Sequence, residues 1–347
     1  MADRPEGVPT SRHQGGKRRA FRRPFNKEHA MQPILLFAAL LVLSFVSIFV
    51  GVIRLTPADL LQLTPFQVQL LLISRLPRLL SILISGSALA VAGTIMQQLA
   101  RNRFVSPTTA GTMDSARLGV LVSLLLFPGA GLLQKMVVAL LFALAGTFAF
   151  VTMLRRIQYK DVIFVPLVGL MLANIIGAGT TFIAYRFDLL QSLAVWMYGD
   201  FSMILAGRYE LLYLSVPLMA VAYGYAQRFT VAGMGEDFAT NLGLNYRQVV
   251  NLGLVLVAAI SAIVVLTVGS LPFLGLIVPN IVSIFRGDDL RKNLTPVALL
   301  GALIVLVCDV LGRVVIFPYE IPVGLMMGVL GSGAFLYLLM RRHAHGS

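Results

Sequence analysis

Between residues 33 and 340 the chain repeats one pattern, an apolar run of roughly membrane-crossing length and then a short polar or charged break. A helix rising about 1.5 Å per residue needs about 20 apolar residues to cross the hydrocarbon core of a bilayer. Ten runs reach or approach that length: 33–54, 76–97, 107–127, 134–154, 161–185, 208–226, 248–268, 271–286, 296–314 and 321–340. A Gly-Ser-Leu-Pro break at Gly269–Pro272 divides the seventh from the eighth. The eighth is too short to span comfortably, which predicts burial among its neighbours. The pattern predicts an all-α polytopic membrane protein with about ten transmembrane helices.

The breaks decide the orientation. With the N-terminus inside, the inside segments hold twenty Lys and Arg, and the outside segments and outer helix ends hold seven. Basic residues concentrate on the cytoplasmic side of membrane proteins, so both termini are expected in the cytoplasm. Composition agrees: 58% of residues are hydrophobic and 12% charged, against about 25% charged in a soluble domain. The net charge of +13 raises a nucleic-acid partner, but eight of the 28 Lys and Arg lie in the first 32 residues. Most others sit between apolar runs. That placement fits topology control and contact with anionic lipid, and no nucleic acid is expected.

Residues 1–32 read as a basic, disordered cytoplasmic tail. Met31 stands just before the first run and offers an alternative start. The run from Pro33 to Ile53 exceeds a signal-peptide core and no cleavage site comes after it, so an uncleaved span is expected. Residues 33–341 then form one transmembrane domain, and 342–347 a short cytoplasmic tail. Gly86, Ala90 and Gly93 share one helical face suited to close helix packing. The chain lacks a G-x-x-x-x-G-K-[ST] phosphate loop and an HExxH motif, and no His lies between His29 and His343. Cys308 is the single cysteine. No catalytic residue and no metal site is expected, and any ATP must be bound by another chain.

Residues 228–247 form the longest polar segment between spans on the expected inner side. Phe238, Leu242 and Tyr246 recur there at helical spacing, and Gly243 suits a helix C-terminus, which would end the stripe at Leu242. Periodicity alone leaves two readings, a helix on the membrane surface or one docked in a partner's groove. Asp114 and Arg117 are ionisable groups expected in the cytoplasmic half of the third span. They pair with each other or belong to a transport path. Asp309 and Arg313, four apart in the ninth span, are a second such pair.

Several of these segments, in this order, resemble the iron–siderophore and vitamin B12 permease family of ABC importers. Gly235-x-x-x-Ala239-x-x-Leu242-Gly243, with Glu236 inside it, is similar to that family's ATPase-coupling loop. Arg75-Leu-Pro-Arg78 with Gly86, Ala90, Gly93 and Met96-Gln97 resembles its second helix, and Arg101-Asn102, Ser106-Pro107 and Gly111 its next loop and third helix. Phe273 to Pro279 resembles its eighth helix, and Asp309-x-x-x-Arg313 with Pro318-x-Glu320-x-Pro322-x-Gly324 its ninth and tenth. Asn280 departs from the usual His after that Pro, and Gly287-Asp-Asp289-Leu-Arg291 again lacks a His. With Thr112-Met-Asp114-Ser115-Ala-Arg117, these features look closest to permeases for catecholate-type siderophores such as petrobactin or anguibactin.

The resemblance implies a permease subunit of an ATP-driven importer that moves an iron–siderophore complex into the cytoplasm across a bacterial inner membrane. It implies a second permease subunit, identical or related, two ATPases carrying ATP and Mg²⁺, and a soluble substrate-binding protein. It also implies that Arg75, Arg78 and Arg313 meet acidic residues of that binding protein; the alternative is that they snorkel to headgroups, or that Arg313 pairs with Asp309. Haem or cobalamin is an alternative cargo. An ion-coupled secondary transporter is an alternative of another class, compatible with the break at Gly269–Pro272; the Gly235–Gly243 loop favours the ABC reading.

Overall fold

The computed structural model describes residues 32–53, 55–156, 164–207 and 209–343. The expected basic tail, Met31 and residues 344–347 lie outside the described residues, as does the connection 157–163. The described chain is almost entirely helical, and its one strand-like feature is an isolated parallel bridge between Tyr198 and Ser270.

Thirteen helices are described, in chain order: α1 Pro33–Phe49, α2 Pro65–Leu70, α3 Leu76–Leu99, α4 Thr112–Leu126, α5 Leu132–Arg156, α6 Phe164–Arg186, α7 Leu190–Met197, α8 Ser215–Gly233, α9 Glu236–Asn241, α10 Tyr246–Val268, α11 Leu274–Arg286, α12 Leu290–Val314 and α13 Val323–His343. Ten of them occupy the ten apolar runs. The other three, α2, α7 and α9, are short. A π turn at Leu71–Arg75 joins α2 to α3 in one helix, Pro65–Leu99.

Local chemistry sets several starts. Pro33 and Pro65 stand in first turns, where a missing N–H costs nothing. Thr64 and Gln67 form a capping box ahead of α2. Asn245 and Asp289 cap α10 and α12 through the backbone N–H of Gln248 (3.2 Å) and Lys292 (3.4 Å).

Several boundaries differ from the sequence reading, among them the first span, which ends at Phe49, and the ninth, which starts at Leu290, and two differences bear on the candidate sites. The third span begins at Thr112, not near 107, because the segment through Ser106, Pro107 and Gly111 stays irregular and Gly111 takes a left-handed φ of 74°. The sixth helix is displaced from 208–226 to Ser215–Gly233. Arg228, read as loop, extends the helix and lies 4.7 Å from the Tyr225 ring centroid. The expected 228–247 loop therefore contracts to the segment around α9. A helix need not stop where its apolar stretch stops, since an intrahelical ladder satisfies the backbone on either side of a membrane boundary.

α3 and α10 form the centre of the bundle. Their apolar windows are 78% and 83% buried, against 33% and 28% for α5 and α6. α3 packs on α8, α10, α11 and α12. Lipid gives no hydrophobic drive for helices to associate, so close approach through small residues matters more. At Gly93 a Cβ would come within 2.1 Å of the Gly275 carbonyl oxygen of α11, and at Gly86 within 2.8 Å of the Ala302 Cα of α12. Ala90 faces Gly301 on the same seam. The small face of the second span is thus the contact with α11 and α12.

α11 is short and deeply inserted, with Leu274–Pro279 buried. Pro279 lacks the N–H that would bond the Gly275 carbonyl. Gln97 of α3 donates to that oxygen (3.4 Å) and to the Leu276 oxygen (3.2 Å), so the open backbone groups find partners inside the bundle.

Candidate functional site

Three groups of sequence-predicted residues fall at three levels of the bundle. The first is the end that carries α9. Gly235, at φ 125°, breaks α8 from α9. The helix closes in a Schellman motif: Gly243 at φ 76° donates to Thr240 O (2.9 Å), and Leu244 donates to Ala239 O (3.0 Å). Glycines at both ends supply backbone angles that side chains resist. Ala239 is fully buried against the bundle. Phe238, Leu242 and Met234 project outward, 48%, 62% and 59% exposed. Glu236 and Asp237 occupy the first turn, where the helix dipole favours acidic groups. Tyr246 is half-buried at the start of α10, so the exposed stripe ends at Leu242.

The second group lies at the opposite end. Arg78 of α3 donates to Asp309 Oδ1 through Nη2 (2.7 Å) and Nε (3.1 Å), and to Glu320 Oε2 through Nη1 (2.8 Å). Arg313 sits 2.5 Å from the other Asp309 oxygen. It also donates to Ser47 O (3.0 Å), Val50 O (2.7 Å) and Ser47 Oγ (2.5 Å). Arg75 donates to the carbonyls of Val50 and, at 2.9 Å, Ile53. One fully buried carboxylate thus holds two arginines and joins α3 and α12 to the end of α1 and the turn before α13.

The alternative pairing of Arg313 with Asp309 is present, and Arg78 shares the same carboxylate. Arg313 is 4% exposed and Arg78 is largely enclosed, so neither guanidinium faces outward as a free cation. A carboxylate buried within reach satisfies them better than the headgroup region does. Arg75 is half-buried and Glu320 stays partly accessible. Ser47 and Glu320 complete the cluster. Glu320 lies in a motif noted from the sequence, whereas a serine in the first span gives no signal of its own.

The third group is Asp114 and Arg117 on α4. They do not form an ion pair: no salt bridge within 4.0 Å and no side-chain hydrogen bond joins them to each other or to another described residue. Both line a cavity of about 830 Å³ between α4 and α6, with Asn174, Gly177, Thr181 and Tyr185. A Cβ at Gly177 would lie 3.7 Å from Asp114 Oδ1, and Gly177 is near the middle of α6. Asp114 stands in the first turn of α4, level with the middle of α6.

Residues 39–341 match the FecCD transport family. The petrobactin import system permease protein YclN of Bacillus subtilis is 58% identical over 310 residues, 89% of this chain and 98% of that protein. The ferric-anguibactin transport system permease protein FatD of Vibrio anguillarum is 43% identical over 268 residues, 77% of this chain and 85% of that protein. Among solved structures, a metal-chelate type ABC transporter in an inward-facing conformation superposes with a TM-score of 0.75 at 23% identity, covering 89% of this chain and 98% of that one.

Proposed function

The chain belongs to the FecCD transport family, and from that premise we propose that it is the permease subunit of an ATP-driven importer for a ferric siderophore of the petrobactin or anguibactin kind. The observation that carries the ATP-driven part is α9. A six-residue helix has too little hydrogen bonding to stand alone. Here it is pinned by two glycine termini and one buried alanine, and it turns Phe238 and Leu242 outward. A fixed, apolar, solvent-facing knob between two long helices suits capture in the groove of a partner chain. The partner is a cytosolic ATPase, whose closure on nucleotide would push α8 and α10 through α9. ATP and Mg²⁺ belong to that partner, and this chain acts without a catalytic site of its own.

In this reading the α9 end faces the cytoplasm of a bacterium and the arginine end faces outward, where a soluble binding protein delivers the chelate. Arg75 and Glu320 are the accessible charges for that contact. A second permease, identical or related, covers the open face of α6, because polar groups such as Asn174 and Thr181 at membrane depth do not face lipid.

Co-purification in mild detergent tests the coupling. The wild type is expected to carry an ATPase, and Phe238→Asp with Leu242→Asp to lose it while remaining monodisperse. Equal recovery of the ATPase from both proteins refutes the docking role of α9. Uptake assays with ferric petrobactin, haem and cobalamin test the cargo; import of haem or cobalamin in preference to the ferric siderophore removes the proposed substrate.

A further inference from the structure

We infer that Arg117 is a contact within the bundle for a negatively charged oxygen of the transported chelate, with Asp114 beside it on α4 tempering its hold on that anion. The inference rests on the importer reading and adds the chemistry of the cargo's passage.

The two deep charge groups of this protein are treated differently. Asp309 and Arg313 are buried, Arg78 is largely enclosed, and contacts of 2.5–3.1 Å join them. Asp114 and Arg117 are half-buried on α4 and unjoined, and the Arg117 Nε is enclosed without an acceptor. A guanidinium nitrogen removed from water without a partner is costly. Ionisable groups at bilayer depth persist where they face a cavity and meet a ligand. The packing of α4 therefore leaves a cation poised for an acceptor that the described residues do not supply.

The surroundings fit a polar ligand. The space beside Asp114 and Arg117 is an open groove of about 830 Å³ between α4 and α6, with room for a small-molecule ligand. Across it, α6 presents Asn174, Thr181 and Tyr185, all exposed, so hydroxyl and amide groups stand on the wall opposite the arginine. Gly177 keeps the wall shallow beside Asp114.

The charge sign comes from the cargo. Ferric iron is a hard trivalent cation and is held by anionic oxygen donors; a chelator with more donor charges than the metal neutralises leaves a complex that is negative at its oxygens. A planar guanidinium matches such oxygens with two parallel N–H donors. A lone arginine would hold an anion too long for transport. Asp114, three residues earlier on the same helical face, opposes the anion and shortens its stay, as a path of several weak sites requires.

The test uses the assembled importer in lipid vesicles, with permease, ATPase and binding protein present. Cys308→Ser removes the native thiol and Thr181→Cys places one in the cavity. Its labelling by a charged maleimide is measured with and without ferric petrobactin, per unit of monodisperse permease. Ferric petrobactin is expected to slow labelling, and Arg117→Gln to raise the concentration needed by about tenfold, the loss of one charge-assisted hydrogen bond. Arg117→Lys, which keeps the charge, is expected to stay closer to the parent than Arg117→Gln. Absence of protection in vesicles that do import the chelate overturns the inference, as does equal protection in parent and Arg117→Gln. Vesicles that import no ferric chelate at all overturn the importer reading and this inference with it.

Discussion

The two ends of the bundle solve opposite problems. At the α9 end the chain leaves apolar side chains in the open, and Phe238 and Leu242 stay largely exposed in their own subunit. At the other end it draws charged side chains inward, and Asp309 is wholly enclosed by Arg78 and Arg313. A surface arrangement made for self-sufficiency would be the reverse. The apolar stripe is held by backbone geometry alone, glycine turns and one buried methyl, so its side chains are free to meet another protein. The charges hold three helices and a turn together, and their removal acts on the fold before it acts on any partner. Exposure separates a residue that serves a contact from one that serves the structure more reliably than polarity does.

The sharpest way to break that contrast is Asp309→Ala. It leaves two buried arginines without their carboxylate, and loss of one member of a buried pair typically costs about 3–5 kcal/mol. Thermal unfolding of the purified permease should show a large drop in melting temperature with or without the ATPase present. A wild-type melting curve would mean that the network is not structural.

Next in size is Gly93→Val, which places side-chain atoms against the Gly275 backbone of α11. Overpacking of this kind costs about 1–3 kcal/mol, or more where backbone must move. Gly93→Ala should be milder, and an unchanged melting temperature for both would deny the close α3–α11 contact. A smaller loss is expected for Gly243→Ala, about 1–2 kcal/mol of left-handed backbone strain confined to the α9 turn. Here ATPase binding should weaken more than global stability, a difference that co-purification and melting together reveal. At the bottom of the scale, Phe238→Ser with Leu242→Ser should change melting by no more than about 0.5 kcal/mol each. The pair should nevertheless abolish ATP-driven uptake. If the doubly substituted protein melts early, the stripe belongs to the fold and the contrast between the two ends collapses.

The late start of α4 shows where the sequence misleads. Apolar content placed a span from residue 107, and hydropathy is blind to a left-handed turn at Gly111 buried inside a bundle. With the later start, Asp114 falls in the first turn of α4 beside Gly177 of α6, a neighbour that hydropathy does not reveal. Arg313 misleads for a related reason. Its place at a helix end is legible, but the direction of its guanidinium depends on Ser47, far away in the chain on α1.

The sequence by itself determined the features that local pattern dictates. Ten apolar runs require ten helices because lipid leaves the backbone no other partner, and Gly235 and Gly243 bound a short helix because few other residues take those angles. The small face at Gly86, Ala90 and Gly93 was legible as a packing seam, although not which helices it meets. Only the tertiary structure decided which charges are paired and which are left open. Ion pairing depends on angstrom-scale distances between helices far apart in sequence, and at Asp309 those distances close, while at Asp114 and Arg117 they do not.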